Sequence, residues 1–305
     1  AVLAADPVVK EISTGDHDEL INEYRQIYAE QLKAQTEAFS IKLMGSALDL
    51  YEFAEGKLVL KSTGKEDPYF PNDETSIKNT IKMLINEFSS VPSNEYIANV
   101  IASQGIGINY KFDGQMHITV NFSIIWDETK DQTADVRYWA KGWVAENLEG
   151  INGTYEKVKA IHDYIIETYS YDSSLKIYTA HGMLTSGKGV CEAYSLLVRA
   201  LLDAAGIESR LVFVDATATN SQGTENHMWN LVRIGGYWYH MDVTWDDAGE
   251  TAREDYFLKS DETMEKNHSW NRSRVPAAPY DYGSAPPIPP DSSSNNSTGS
   301  SSAAG

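Results

Sequence analysis

The sequence predicts an α+β fold, because amphipathic helical stretches occur beside runs of alternating apolar residues that are typical of antiparallel strands. The composition agrees with a globular protein, since 42% of the 305 residues are hydrophobic and 11% are aromatic. A chain of this length is expected to form about two domains. We therefore predict a first α+β unit at residues 1–145, a second unit at 146–275, and a tail at 276–305.

Helical periodicity identifies four segments before the second half of the chain. These segments are residues 16–39, 75–88, 131–146 and 151–172. His162 falls within the fourth segment, and we interpret it as structural, because a lone helical histidine is more often packed than catalytic. The stretch INYKFDGQMHITVNFSIIW places Asp113-Gly114 between alternating apolar positions, which predicts a tight hairpin.

Charge and motif content exclude several classes of function. The net charge of −19 disfavours phosphate backbones, so nucleic acid is not an expected partner. The longest apolar runs are shorter than the roughly 20 residues of a membrane-spanning helix. The sequence has no glycine-rich nucleotide loop, and we predict no cofactor. The acidic residues after position 245 lack EF-hand spacing, so we expect a solvated loop and no metal site.

The two ends of the chain suggest where the protein is found. The tail at 276–305 is rich in Pro and then in Ser, Asn and Gly, which predicts a flexible linker or tail. The opening AVLAAD has small residues that would suit the mature side of a removed signal peptide. We therefore expect a secreted or cell-surface protein.

Cys191 is the only cysteine, and it lies in the stretch GKGVCEAYS. Gly187 and Gly189 interrupt regular structure before it, and the following CEAYSLLVRALLDAAGI is dense in helix formers up to Gly206. Cys191 is therefore predicted at the start of a buried helix, where unpaired N–H groups and a nearby cation would stabilise a thiolate. A small apolar plug at a helix start explains the position equally well.

The segment HMWNLVRIGGYWYHMDVTWDD favours the nucleophile. Gly235-Gly236 separate two aromatic-rich runs and predict a two-residue hairpin turn. In that register His227 and Asp242 emerge on one face as diagonal neighbours, so a carboxylate can orient the imidazole. His240 lies on the same face and could take the carboxylate instead. We prefer His227, because it starts its strand and can reach an open cleft, whereas His240 lies mid-strand between aromatic residues.

These segments, together with the later YFLKSDETMEKNHSW, resemble the transglutaminase-like superfamily, and specifically its bacterial secreted branch. The resemblance implies a papain-like core in which a helix bearing the cysteine packs on an antiparallel sheet. By matching motif positions it implies Cys191 as nucleophile, His227 as base and Asp242 as orienting acid. Two positions depart from the family pattern: Ala193 stands where the family often has Gly, and Met228 where it often has Ala. Both could narrow the cleft.

The implied activity is that of an enzyme performing thiol-dependent acyl transfer on amides, namely transamidation or deamidation of protein glutamine. A cysteine peptidase or amidase acting on cell-surface peptides could use the same triad, and a non-catalytic binding module is a further alternative. The expected partner is a protein or peptide substrate, and a substrate associated with the cell wall would fit the expected location. Candidate cleft residues are Trp229, Tyr194, Trp245, Tyr178 and His181, of which the last two are also candidate oxyanion donors by nearness. Aromatic residues at alternate strand positions are, however, more often core. The first unit could hold the acyl donor, shield the thiol or act as a spacer.

Overall fold

The structure is a computed structural model, and it describes residues 8–112, 115–247 and 253–286. Helices and strands are both abundant, as the predicted α+β class requires. The helices are α1 His17–Lys33, α2 Glu74–Ser89, α3 Glu95–Ala98, α4 Lys130–Asn147, α5 Thr154–Thr168, α6 Ala180–Ser186, α7 Cys191–Ala204, α8 Val243–Asp246 and α9 Asp261–Met264. Short 3-10 helices occur at Gly45–Leu50, Pro92–Asn94 and Arg272–Arg274. Among the described residues, no helix combines the length and apolar character needed to cross a membrane.

The strands of the first half are β1 Val8–Ile12, β2 Ala38–Leu43, β3 Tyr51–Ala54, β4 Lys57–Leu60, β5 Ile101–Phe112 and β6 Met116–Trp126. Four of them form a sheet in the order β1-β2-β6-β5. The predicted hairpin is confirmed by the antiparallel pairing of β5 and β6 out to Phe112 opposite Met116. The predicted turn residues, Asp113 and Gly114, lie outside the described residues.

Two predicted helices, α2 and α4, match the structure to within one residue at each end. The first and the fourth are shorter than expected, and the fourth, α5, covers only Thr154–Thr168 of residues 151–172. Helix α1 ends at Lys33, whereas its apolar spacing predicted a helix through residue 39. Gln35 adopts a φ of 50°, in the left-handed region that ends helices. The chain then enters β2, where the Phe39 ring stacks on Phe122 with centroids 4.5 Å apart. The aromatic residue thus serves the sheet's core and not the helix.

The second half contains the strands β7 Ser170–Tyr171, β8 Lys188–Gly189, β9 Ser209–Val212, β10 Thr217–Asn220, β11 Gly223–Asn226, β12 Trp229–Ile234, β13 Tyr237–Met241, β14 Phe257–Lys259 and β15 His268–Ser269. Its main sheet is antiparallel in the order β14-β13-β12-β9. Helix α7 packs against β12 and β9 of this sheet. The predicted core, a helix that starts at the cysteine and lies on an antiparallel sheet, is confirmed.

The β12–β13 hairpin has the predicted register. Ile234 pairs with Tyr237 across Gly235 and Gly236, whose φ values are 56° and 88°. Positive φ at both central residues is the geometry of a type I′ turn, which matches the right-handed twist of the strands. Because the register is fixed by this turn, the residues before β12 and after β13 meet at the far end of the hairpin.

The two halves are joined by a buried ionic cluster. Glu95 of α3 lies 2.9 Å from Arg199 Nη1 of α7 and 2.6 Å from Arg210 Nε of β9, and it accepts a hydrogen bond from Leu211 N at 2.9 Å. One continuous apolar core also extends across both halves. The first half therefore packs on the second, as expected, while the division at residue 145 stays a prediction.

The beginning of the tail is ordered against the second half. Ala278 is fully buried, the Asp281 carboxylate accepts a hydrogen bond from Ser260 N at 2.7 Å, and the Tyr282 ring stacks on Tyr155 at 4.6 Å. A flexible tail was predicted from residue 276, whereas the chain remains in contact with the core as far as Tyr282, because these apolar and acidic groups find partners there. The remainder, 287–305, lies outside the described residues.

Candidate active site

Cys191 is the first residue of α7 and is half-buried. Gly187, with a φ of 75°, ends α6, and Gly189 then brings the chain close to α7. A Cβ at Gly189 would lie 2.6 Å from Ala193 Cβ and 3.2 Å from Met183 Sδ, so only glycine fits. The two glycines noticed in the sequence thus place the thiol at the helix N-terminus.

A serine ties the start of α7 to the hairpin. Ser195 Oγ lies 2.8 Å from the carbonyl oxygen of Cys191 and 2.9 Å from that of Met228. Both carbonyls can accept from the single hydroxyl proton, and the Ser195 side chain is buried. This contact fixes the helix turn that carries the thiol relative to the residue that follows His227.

His227 and Asp242 lie at the end of the hairpin opposite the turn. His227 precedes β12, Asp242 follows β13, and the two residues are buried. His227 Nε2 lies 2.6 Å from Asp242 Oδ2. Asp242 Oδ1 accepts hydrogen bonds from the backbone N–H groups of Thr244 at 3.1 Å and Trp245 at 3.2 Å. The carboxylate is therefore fixed, and His227 Nδ1 is the ring nitrogen left for another partner.

The electrostatics favour an imidazolium beside a carboxylate. Burial opposes protonation of His227, but the charge and hydrogen bond of Asp242, helped by the contact with Cys191, raise the pKa of His227 to about 10. Burial likewise opposes ionisation of Asp242, yet His227 and His268 hold the pKa of its carboxyl well below the usual range. At neutral pH the pair is therefore an imidazolium and a carboxylate, whose opposite charges compensate each other.

Two cavities meet at His227 and form a cleft. The first, of about 520 Å³, is lined by Cys191 and His227 together with Tyr178, Glu192 and Met228, among others. The second, of about 650 Å³, adjoins His227 on its other side, and its lining includes Tyr171, Trp245, Asp247 and Tyr256. The thiol and the imidazole thus face one solvent-accessible space.

Of the five predicted cleft residues, Tyr178 and Trp245 line these cavities, and the other three do not. Trp229 is buried, and its Nε1–H donates to His240 Nδ1 at 2.8 Å. Tyr194 is buried with its hydroxyl on Asp247, and the backbone N–H of His181 donates to Glu128 at 2.9 Å. Trp229 and Tyr194 are excluded from the cleft because aromatic residues on the inner faces of a sheet and a helix pack into the core.

His240, the competing histidine, does not contact Asp242. Its Nε2 lies 2.8 Å from Asp261, and its Nδ1 accepts from Trp229. His162, interpreted as structural, is fully buried, with Nε2 3.1 Å from Asp246. Asp246 was expected in a solvated acidic loop, but it is fully buried, because this histidine and the backbone N–H of Tyr256 satisfy its carboxylate.

Sequence reasoning missed several groups at the site. His268 Nε2 lies 3.0 Å from Asp242 Oδ2, the same oxygen that contacts His227. Glu192 lies beside Cys191, and burial together with the charge of Asp127 raises its pKa to about 7. Asn99, from the first half of the chain, also lines the cavity of the thiol. His268 belongs to the segment YFLKSDETMEKNHSW, but no spacing rule connects it to Asp242, which lies 26 positions earlier in the chain.

His227, Asp242 and His268 are the group of described residues whose donor atoms lie close enough to suggest a metal ion. Their contacts are those of hydrogen bonds, at 2.6 Å and 3.0 Å from one carboxylate oxygen. Ligand atoms about 2.0–2.2 Å from a tetrahedral Zn²⁺ would stand more than 3 Å apart. Hydrogen bonds therefore explain the arrangement of these three side chains better than a bound metal ion does.

Comparison with known families places this site in context. Residues 141–243 match the model of the transglutaminase-like superfamily, and the match includes Cys191, His227 and Asp242. This segment is a transglutaminase-like domain. A search of curated proteins finds no sequence that matches the chain.

Three solved structures are similar to parts of this chain. They are a candidate cysteine protease from Cytophaga hutchinsonii (17% identity, 47% of this chain and 65% of that one, TM-score 0.32), a candidate protease from Parabacteroides distasonis (14%, 44% and 35%, 0.28), and a TGase (11%, 83% and 77%, 0.32). The chain thus spans less than two thirds of the length of the first two.

The two departures from the family pattern have different structural effects. Ala193 is fully buried beneath Gly189 and faces the core, so it does not narrow the cleft of the transglutaminase-like domain as expected. Met228 does line the cavity of the thiol. Of the two, only Met228 restricts the space beside Cys191.

Proposed function

We propose that the protein is an enzyme that carries out thiol-dependent acyl transfer on amides, with Cys191 as nucleophile, His227 as general acid and base, and Asp242 as the orienting acid. The observation that carries the proposal is that Cys191 and His227 line one cavity while Asp242 holds His227 Nε2 at 2.6 Å. Nδ1 of His227 is then the nitrogen available to exchange a proton with the Cys191 thiol and the leaving group. The match of residues 141–243 to the transglutaminase-like superfamily supports the same assignment.

In the first step the Cys191 sulfur attacks the carbonyl carbon of a carboxamide, and the carbonyl π electrons move to oxygen. The tetrahedral intermediate collapses when the C–N bond breaks and His227 Nδ1 gives its proton to the leaving nitrogen. The products are ammonia and a thioester on Cys191. His227 then removes a proton from an amine or from water, which attacks the thioester and regenerates the thiol.

The developing oxyanion needs hydrogen-bond donors. The backbone N–H of Cys191, in the first turn of α7, is not needed within the helix and can donate. Of the two side chains suggested by nearness, we favour Tyr178 over His181, because Tyr178 lines the cavity that holds Cys191. Its phenol is the proposed second donor.

We take the substrate to be a glutamine side chain of a protein or peptide, with the second cavity admitting the acyl acceptor. That cavity is lined by one guanidinium, on Arg253, and by three carboxylates, on Glu225, Asp247 and Asp255. The excess of negative charge favours an amine over an anionic acceptor. A peptidase or amidase is the second candidate, because cavities on both sides of His227 would also admit an extended peptide. Action on secreted or cell-wall substrates belongs to the same proposal.

Two measurements test the proposal. Iodoacetamide labelling reports on Cys191 alone, since the chain has one cysteine. We expect the native protein to be alkylated faster than a model thiol at neutral pH, and His227→Ala to slow the reaction. Slow and equal labelling of both proteins would indicate an inert thiol and favour a non-catalytic binding module.

Mass spectrometry then identifies the reaction. A glutamine-containing protein is incubated with a primary amine and with the native enzyme or Cys191→Ala. Incorporation of the amine with loss of ammonia supports transamidation, and conversion of Gln to Glu supports deamidation. Backbone cleavage that requires Cys191 would replace the transferase assignment with the peptidase.

A further inference from the structure

His268 contacts the acidic member of the proposed triad from a separate part of the chain. It lies on the two-residue strand β15, where it pairs with Ala218 of β10. Its Nε2 is 3.0 Å from Asp242 Oδ2, while His227 Nε2 is 2.6 Å from the same oxygen. Oδ1 already accepts two backbone N–H groups. Asp242 thus accepts four hydrogen bonds, two of them from imidazoles.

Both nitrogens of His268 are in use. Nδ1 lies 2.7 Å from the Asn267 side-chain amide, whose other atom is 2.6 Å from the Tyr256 hydroxyl. If the His268 ring is neutral and donates from Nε2, its Nδ1 accepts from the Asn267 amide NH₂ in one orientation of that amide. If the ring is charged, Nδ1 donates to the amide oxygen in the other orientation. In either case Nε2 carries a proton, so His268 is a donor to Asp242.

Packing alone does not explain a histidine at this position. The His268 side chain is fully buried, and its ring lies against Trp229, Trp245 and Tyr256 at centroid distances of 5.0, 4.6 and 5.3 Å. A phenylalanine would fill such an aromatic pocket without the cost of desolvating two polar nitrogens. The polar ring therefore points to a role for its hydrogen bonds.

We propose that His268 is a positioning residue that holds Asp242 Oδ2 and limits how strongly this carboxylate retains the proton of His227. The inference rests on the proposed triad. Oδ2 divides its charge between two imidazole donors, so removing one strengthens its interaction with the other. His227 must release its proton to the leaving group, and a carboxylate that held the proton more tightly would slow that transfer.

Two other titratable side chains pack against His268 and are kept constant in the test. The His227 ring lies on one side at 5.5 Å between ring centroids, and the Tyr256 ring lies on another at 5.3 Å. Asp242 is the one carboxylate in direct contact with His268 among the described residues. Loss of the His268 donor therefore acts on His227 mainly through Asp242.

The test uses two substitutions that separate the ring from the donor. His268→Phe keeps an aromatic ring and removes the donor, whereas His268→Gln keeps an amide N–H donor and removes the ring. The midpoint of His227 protonation is followed by NMR in the full chain with isotope-labelled histidine, and its signal is assigned by its loss in His227→Gln. We expect His268→Phe to raise the midpoint by roughly half a pH unit or more. We expect His268→Gln to leave it near the native value.

The opposite pattern would overturn the proposal. If His268→Phe has the native midpoint and His268→Gln only lowers the unfolding free energy, His268 is a packing residue. Should the phenylalanine variant not fold, His268→Met supplies a flexible side chain without a donor, and an unchanged midpoint there also overturns the proposal. The NMR measurement needs no substrate. A failure to detect acyl transfer would therefore contradict the proposed function, whereas the midpoint of His227 protonation alone decides whether His268 positions Asp242.

Discussion

Replacing Asp242 by Asn changes the proposed site by one charge at nearly constant volume. The backbone N–H groups of Thr244 and Trp245 need an acceptor, so we expect the amide oxygen to remain on them and the amide NH₂ to face Nε2 of both His227 and His268. Both Nε2 atoms must then accept, which moves the ring proton of each histidine to Nδ1; for His268 that proton can be donated to Asn267 Oδ1. A neutral His227 with its proton on Nδ1 cannot take a proton from Cys191, so the variant should retain the fold and lose the base.

The size of the effect follows from the charge balance at His227. The rise of its pKa from 6.5 to about 10 corresponds to roughly 5 kcal/mol in favour of the imidazolium, as an upper bound. Without Asp242 the opposing effect of burial dominates, and His227 no longer supplies the cation of the proposed thiolate–imidazolium pair. At about pH 6 a free cysteine is only about 0.3% thiolate, a deficit of roughly 300-fold. A stabilised thiolate is about tenfold less nucleophilic, so a net fall of roughly 30-fold remains.

The assay is the second-order rate of iodoacetamide labelling near that pH. Asp261→Asn is the matched control, because Asp261 lies 2.8 Å from His240 Nε2 in a second histidine–aspartate pair that does not involve the thiol. We expect native-like labelling of the control and slow labelling of Asp242→Asn. A decrease of less than about threefold in a folded Asp242→Asn variant would refute the reasoning, because the imidazolium would then not depend on Asp242.

Three further predictions concern stability. Glu95→Ala removes the buried carboxylate shared by Arg199 and Arg210 and leaves Arg199 with Asp203 as its remaining carboxylate partner. We expect urea unfolding to show a loss of roughly 3–5 kcal/mol, and native stability would argue against this role of the ionic cluster. Gly189→Ala forces its Cβ against Ala193 at 2.6 Å and should cost about 1–3 kcal/mol and slow alkylation, whereas Gly142→Ala, with open space around its Cβ, should cause neither loss. Folding raises the pKa of His227 from 6.5 to about 10, so the protonated ring stabilises the folded state fully below pH 6.5, and this contribution is lost as the pH rises through 10. The free energy of unfolding should therefore fall over that interval. An equal fall in Asp242→Asn would contradict the assignment.

The sequence was most informative where one local rule decides the geometry. A two-residue glycine turn fixes the register of a hairpin, and the register alone brings His227 and Asp242 to one end of it. Breakers followed by a dense run of helix formers likewise locate the start of α7 at Cys191. Both inferences depend on interactions within about 20 residues, for which periodicity and turn chemistry are sufficient.

The missed features depend on contacts that no local pattern encodes. Gln35 ends α1 because the chain must enter a sheet whose central strand comes more than 70 residues later. Trp229 was a candidate for the cleft, but its indole N–H is satisfied by His240 inside the core. His268 reaches Asp242 from a strand of two residues, which is too short to give a periodic signal. In each case tertiary packing decided where a side chain of unremarkable local sequence would lie.

The first half of the chain has contacts that favour a role in the site over that of a spacer. Asn99 lines the cavity of the thiol, and it directly follows α3, whose Glu95 is bound to α7 and β9. Glu128 makes a second junction: it is fully buried, accepts from Tyr96 Oη at 2.7 Å, and accepts from His181 N at the start of α6, the helix that precedes the thiol. Because such buried carboxylates are costly without their partners, the two halves are expected to fold as one unit. A substrate entering beside Cys191 would then meet a wall built by both halves.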